Sequence, residues 1–190
     1  YTIRWSPSDL AMSYVLQEAK HSDFGDGGDI YTGPSTSYDV SGRGAARYYY
    51  RVKARNGGGD SDWSNAQSVD VLWEAEPNDA PLTQANGPIV SGLTYYGVFP
   101  SAADPKDYFY FDLPAAHTVE LWLTNIAAGH NYDLTLRDAS LGMVAHSGEL
   151  GNAGEHILTG ALQPGRYYIH VSNASGTSST QPYHLRGVYR

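Results

Sequence analysis

Apolar and polar residues alternate in short runs along almost the whole chain. The runs are YTIRW (1–5), SYVLQEA (13–19), DIYTG (29–33), SYDVSG (37–42), RYYYRVKARN (47–56) and SVDVLW (68–73). After Pro81 the pattern resumes with GPIVSG (87–92), YYGVF (95–99), DYFYFDL (107–113), TVELWLTNI (118–126) and YDLTLRDA (132–139). It ends with MVAHSG (143–148), EHILTGAL (155–162), GRYYIHVSN (165–173) and YHLRGVY (183–189). Alternation with period two between Gly, Pro, Asn and Ser punctuation predicts strands, and no segment carries an apolar period of 3.6. The expected fold class is therefore all-β, with two tandem antiparallel β-sandwiches at residues 1–73 and 74–190. The boundary falls between Trp73 and Pro81, where no Gly/Ser tether separates the halves.

Composition sharpens this picture. The chain has 21 Gly, 10 Pro and 16 Tyr, as short strands joined by turns require, and its 41% hydrophobic content is enough for a packed core. A formal charge of -8, with Arg scattered singly, excludes the basic footprint that a phosphate backbone needs, so no nucleic-acid partner is expected. There is no Cys for a disulfide or a thiolate metal site, and no apolar run long enough for a membrane span. The sequence does not start with Met and alternates from its first residues, which leads to the expectation of a piece excised or processed from a longer protein.

The first half resembles a fibronectin type III domain through Trp5, Tyr14, the run Tyr48 to Asn56 and the following GGGDSDWS (57–64). In the predicted strand Tyr48, Tyr50, Val52 and Ala54 share the inward side. The resemblance also implies a further strand before the one bearing Trp5. The second half resembles the bacterial pre-peptidase C-terminal domain, a small sandwich appended to secreted peptidases and to clostridial collagenases. The carrying residues are EAEPND (74–79), DPKDYFYF (104–111), YDLTL (132–136) and LQPGRYYIHV (162–171).

The acidic stretch at the boundary is the main chemical feature. Calcium takes six to eight oxygens, so a site must gather carboxylates and neutral oxygens from separate segments. Glu74, Glu76 and Asn78 alternate and so fall on one side of an extended segment, while Asp104 and Asp107 flank a Pro-Lys pair in a turn before a strand. The resemblance to collagenase-type modules implies calcium ligation by Glu74, Glu76, Asn78, Asp104 and Asp107, with Asp79 as a further ligand. Without sulfur or paired His, the set favours Ca2+ over Zn2+ or Cu2+. Because the first ligands follow SVDVLW directly, bound calcium is expected to fix the relative orientation of the two sandwiches. The competing reading is a solvated acidic linker with ordinary turn-forming Asp residues. DFGDGGD (23–29) lacks the spacing of a calcium loop and reads as a Gly-rich connection.

No catalytic constellation emerges. Seven His residues are spread singly, and there is no His-Glu-x-x-His pair, Gly-x-Ser-x-Gly elbow, phosphate loop or Cys nucleophile; Ser147 beside His146 is the nearest approach. Alternation in GRYYIHV places Tyr168 and His170 opposite Tyr167, Ile169 and Val171. If the latter are core, the former face solvent. The matching strand of collagen-binding relatives carries binding aromatics, so the resemblance makes Tyr168 and His170 ligand-binding residues. The expected function is a non-enzymatic accessory or adhesion pair of a bacterium, secreted or on the cell surface, that binds a matrix polymer or acts as a spacer. The alternatives are a structural subunit of an extracellular fibre or surface layer, assembled with neighbouring subunits by strand donation, and a processing segment. The sequon at Asn173-Ala-Ser175 carries no weight in a bacterial protein.

Overall fold

The computed structural model describes residues 1–190 and contains only strands, turns and loops. In chain order these are β1 (Thr2–Arg4), β2 (Ser13–Ala19), β3 (Gly28–Gly33), β4 (Ser37–Asp39), β5 (Ala46–Asn56), β6 (Gly59–Asp60) and β7 (Gln67–Val71). There follow β8 (Thr94–Phe99), β9 (Lys106–Leu113), β10 (His117–Thr124), β11 (Asn131–Arg137), β12 (Met143–Ser147), β13 (Glu155–Leu162), β14 (Gly165–Ser175) and β15 (Ser179–Tyr189). No helix is long and apolar enough to cross a membrane. The chain divides into two compact units, residues 1–43 with 47–71 and residues 44–46 with 72–190.

In the first unit β1 pairs with β4, and β3, β2 and β5 form a second sheet in which β5 also pairs with β6 and β7. The inward alternation of β5 holds. Tyr48 and Tyr50 are buried, and Val52 and Ala54 are half-buried on the same side. On the opposite face the Arg51 guanidinium lies 4.0 Å from the Phe24 ring and 4.6 Å from the Trp63 ring, and Lys53 lies 4.7 Å from Trp63. The charged groups thereby lie over the rings themselves, while Arg51 Nε also donates to Gln17 Oε1 at 2.8 Å and Lys53 Nζ pairs with Asp60 at 2.7 Å. The Trp-Ser step has a local purpose, because Val52 N donates to Ser64 Oγ and Ser64 N donates to Val52 O.

The second unit stacks two antiparallel four-stranded sheets, ordered β13-β10-β15-β8 and β12-β11-β14-β9. Odd-numbered positions of β10, β14 and β15 point into the space between them. Val119, Leu121, Leu123, Ile169, Val171, Tyr183 and Leu185 are all fully buried there, beside Phe99, Phe109 and Phe111. Removing this much apolar surface from water is the main stabilising term of the unit.

Two expectations change at the start of this unit. GPIVSG is a loop and not a strand: Pro88 has no N–H to give to a ladder, and Gly87 adopts a φ of 147°, against which an added Cβ would lie 2.5 Å from Tyr110 O. The loop is still anchored, because Ile89 N donates to Tyr110 O and Ile89 is buried. The strand read as SVDVLW ends at Val71. Leu72 and Trp73 instead run parallel to β8, with Tyr96 N donating to Leu72 O at 2.9 Å and Glu74 N donating to Tyr96 O at 3.0 Å.

Candidate functional site

The pairing of residues 72–74 with β8 sets the start of the acidic stretch against the sheet edge. Asn86, which is buried, fixes the next residue: its Oδ1 accepts from Ala45 N at 3.0 Å and from Ala75 N at 3.1 Å, and its Nδ2 donates to Ala75 O at 3.1 Å. Ala75 is thereby clamped between Glu74 and Glu76. Further along, Tyr108 N donates to Asn78 O at 3.1 Å, so the same stretch is tied to β9 as well.

β9 begins at Lys106, which puts Asp107 inside the strand on the same side as Phe109, while Lys106 takes the other side with Tyr108. Asp104 stays in the preceding turn. All six acidic-stretch and turn residues singled out from the sequence converge as a result. Ligand oxygens of Glu74, Glu76 and Asp107 lie within 4.8 Å of one another, as do those of Glu76, Asp79 and Asp104. Glu76 belongs to both triads. Asn78, fully buried, adds its carboxamide: Nδ2 donates to Glu74 Oε2 at 3.2 Å, which turns Oδ1 away from that partner.

No Lys or Arg forms an ion pair with any of these groups. Five buried oxygens here accept no hydrogen bond, namely Asn78 Oδ1, Asp79 Oδ1, both carboxylate oxygens of Asp104, and Asp107 Oδ1. Buried polar atoms in native proteins are almost always partnered, so a cluster of orphans of one chemical type calls for a missing donor or cation. The electrostatics agree. Burial, with the neighbouring carboxylates adding to it, raises Glu74 to about 7 and Asp104 to about 6, and pushes Asp107 well above the usual carboxylate range. Glu76 is raised by burial and by the charge of Asp104. These groups resist ionisation next to one another.

Two participants carry no signal that the sequence reading used. Tyr183, fully buried on β15, places its hydroxyl 2.5 Å from Asp107 Oδ2 and 3.1 Å from Glu74 Oε2, with a single proton to share between them. Gly97 on β8 gives this pair its room, because an added Cβ would lie 2.2 Å from the Tyr183 hydroxyl and 2.3 Å from Glu74 Oε2. A glycine inside an aromatic strand such as YYGVF is the available clue, since such positions mark close approach of another group. Val98 N also donates to Glu74 Oε1, at 2.5 Å.

The expected solvent exposure of Tyr168 is corrected. The strand alternates as read, with Tyr167, Ile169 and Val171 in the core, but Tyr168 is only 6% exposed and His170 is half-buried on the outer face. Cross-strand neighbours cover them: His170 stacks on Tyr108 with ring centroids 4.5 Å apart, and Tyr168 packs at 6.4 Å from Tyr110, over which Arg166 lies at 4.0 Å. Burial and the nearby Arg137, Lys106 and His146 lower His170 to about 4, so it is neutral near pH 7.

Residues 105–173 match the family model of the bacterial pre-peptidase C-terminal domain. Of the converging acidic groups, only Asp107 lies within the matched range. Collagenase ColA of Clostridium perfringens (strain 13 / Type A) is 29% identical over 178 residues, which cover 87% of this chain and 15% of that protein. The chain thus spans a small part of the length of this curated relative. Among solved structures, the pre-peptidase C-terminal domain of collagenase from Bacillus anthracis is 21% identical, covering 51% of this chain and 89% of its own, with a TM-score of 0.43. The CBM51-2 and INT domains of Clostridium perfringens ZmpB are 6% identical, covering 80% and 39%, with a TM-score of 0.37.

Proposed function

We propose that the chain is a non-catalytic, calcium-stabilised accessory pair of modules in a secreted or cell-surface bacterial protein, and that it serves adhesion to a matrix polymer. The observation that carries this reading is the set of buried, unpartnered oxygens from Asn78, Asp79, Asp104 and Asp107 beside Glu74 and Glu76. Hard oxygen donors with no sulfur or imidazole among them suit Ca2+, which would supply charge neutralisation and nothing redox. Glu74, Glu76, Asn78 and Asp107 would hold it on the β8 side, and Glu76, Asp79 and Asp104 on the turn side. An ion there would tie the stretch after β7 to the turn before β9, a structural task.

The family match over residues 105–173 and the similarity to a protein named as a collagenase support collagen as the polymer to try first. In the first unit, the β1–β4 pair facing the β3-β2-β5 sheet with β7 supports a fibronectin type III-like reading. The test is calorimetric titration of calcium into chelator-stripped protein, followed by pull-down on insoluble collagen with and without the ion. Absence of binding heat together with an unchanged melting temperature would refute the calcium site, and no retention on collagen or any other polymer would refute adhesion.

A second reading, assembly by strand donation, has its own observation. Tyr1, Ile3 and Trp5 spend their backbone groups on the β4 side, so those of Thr2 and Arg4 point to the other side, where a strand from a neighbouring subunit or from the same polypeptide would pair. Alongside runs a groove of about 450 Å3 lined by Ile3, Trp5, Leu16, Tyr50, Val52 and Val69. Uniform monomers of the secreted protein in electron micrographs would dismiss it.

A further inference from the structure

The outer face of the β13-β10-β15-β8 sheet sets aromatic rings beside an exposed cation that has no carboxylate partner. Its outward positions carry two arginines, Arg186 and Arg190, and one carboxylate, Glu120. Glu120 is already engaged, by Arg190 and by His156 Nε2 at 3.2 Å. Arg186 has no carboxylate partner; its Nε donates to Gly92 O at 3.2 Å. The face therefore offers one cation, Arg186, whose charge no carboxylate offsets, on a chain of net charge -8.

Aromatic rings surround that charge. Trp122 stands between the His156 ring, stacked at 5.5 Å, and the Arg186 guanidinium, also at 5.5 Å. One row along the strands, His184 meets Tyr96 edge-on at 5.1 Å, and Tyr96 meets Trp73 at 5.2 Å. Trp73 is 52% exposed, and the His156 side chain is 50% exposed. Trp73 and Trp122 are separated by three strand spacings and two residues along the strands, about 16 Å. The two groups share one sheet face, joined through the neighbouring β15 positions His184 and Arg186, on the opposite side of the sandwich from Tyr168 and His170.

We propose that this face binds an anionic polysaccharide, with sugar rings lying on Trp73 and the Trp122 edge and carboxylate or sulfate groups pairing with Arg186. The inference rests on the adhesion reading above and names a ligand class for it. Charge complementarity selects the sign of the ligand. The backbone selects its class: β10 and β15 are inner strands whose main-chain groups are used on both sides, so an extended peptide laid here would find no main-chain partners. A glycan needs only ring stacking and side-chain donors.

The test is affinity electrophoresis of the 190-residue protein in calcium, through gels containing polygalacturonate, chondroitin sulfate, neutral hydroxyethylcellulose or polyglutamate, with pull-down on collagen run in parallel. The expected result is retardation by the two anionic glycans only, weakened by added salt. It should be about tenfold weaker in Arg186→Gln and Trp122→Ala and unchanged in Tyr168→Phe. Arg186 is exposed, so its variant keeps the test sound if Trp122→Ala fails to fold. Equal retardation by the neutral glycan or by polyglutamate overturns the proposal, as does anionic binding that survives both substitutions. Retention on collagen with no retardation by any glycan overturns it while leaving the adhesion reading intact; no binding to anything removes both.

Discussion

The Tyr183 hydroxyl and the Asp107 carboxylate meet in the core 2.5 Å apart although 76 residues separate them in the chain. Burying an acid so deeply is costly unless its charge is met. The hydroxyl meets one oxygen, and Asp107 Oδ1 has no partner. The contact would form one wall of the proposed cation site, with β15 holding Asp107 and Glu74 in position.

Calcium is expected to raise the melting temperature, and Asp107→Asn to abolish the rise. Extracellular sites of this kind bind at about 10⁻⁴ to 10⁻³ M. At about one hundred times the dissociation constant the ion adds about 2.7 kcal/mol, which for a chain of this size is about 5 to 10 °C. Differential scanning calorimetry with and without the ion checks it, and an equal rise in wild type and Asp107→Asn would contradict the assignment.

The metal-free protein is expected to weaken as pH rises. Asp104 goes from 3.8 to about 6 on folding, and Glu74 from 4.5 to about 7, so the folded state holds protons that the unfolded state has already lost. A raised folded value contributes stability that is full below the unfolded value and lost as pH climbs through the folded one. Stability should therefore fall between about pH 3.8 and 7, and Asp107 extends the fall upward. Calcium requires the ionised forms, so the gain it brings should grow over the same window. Urea titrations of chelator-stripped and calcium-loaded protein at about pH 5, 6 and 7.5 would show the two curves diverging.

Gly97→Ala should damage the site without touching a ligand. Its Cβ would sit 2.2 Å from the Tyr183 hydroxyl, so Tyr183 or Glu74 must move. The expected cost is about 1 to 3 kcal/mol of stability, with weaker calcium binding alongside. Chemical denaturation with and without the ion measures both, and a variant with wild-type calcium affinity would show that the crowding is relieved elsewhere.

Tyr168→Ala is expected to cost about 3 to 5 kcal/mol, because the ring is nearly fully buried and its removal leaves a cavity. Loss of ligand binding in that variant would then reflect unfolding of the face. Tyr168→Phe, which retains the packing, is the informative substitution, and a binding loss in it at unchanged stability would restore the hydroxyl as a contact.

Strand periodicity made the all-β architecture readable because the side-chain period of two survives in nearly every segment. It failed at GPIVSG, where an apolar run is anchored by single backbone hydrogen bonds instead of a ladder, and at Leu72 and Trp73, where alternation continues but the pairing partner changes to β8. The acidic residues were readable as a group because six oxygen-bearing side chains in two short stretches stand out in any composition. Tyr183 and Asn86 were not, since the partners of Tyr183 lie 76 and 109 residues away and those of Asn86 up to 41, and nothing local distinguishes a buried Tyr that donates to a carboxylate from one that only packs. Tyr168 shows the remaining limit: alternation tells which face a side chain takes, while its exposure depends on what the neighbouring strands place beside it.

Glu76 sits where the two carboxylate triads overlap. One side chain is therefore the hinge pin between the segment that follows β7 and the turn that precedes β9. With an ion in the proposed site, a change at this corner would release both segments together, whereas a change at Glu74 or at Asp104 would free one side and leave the other attached.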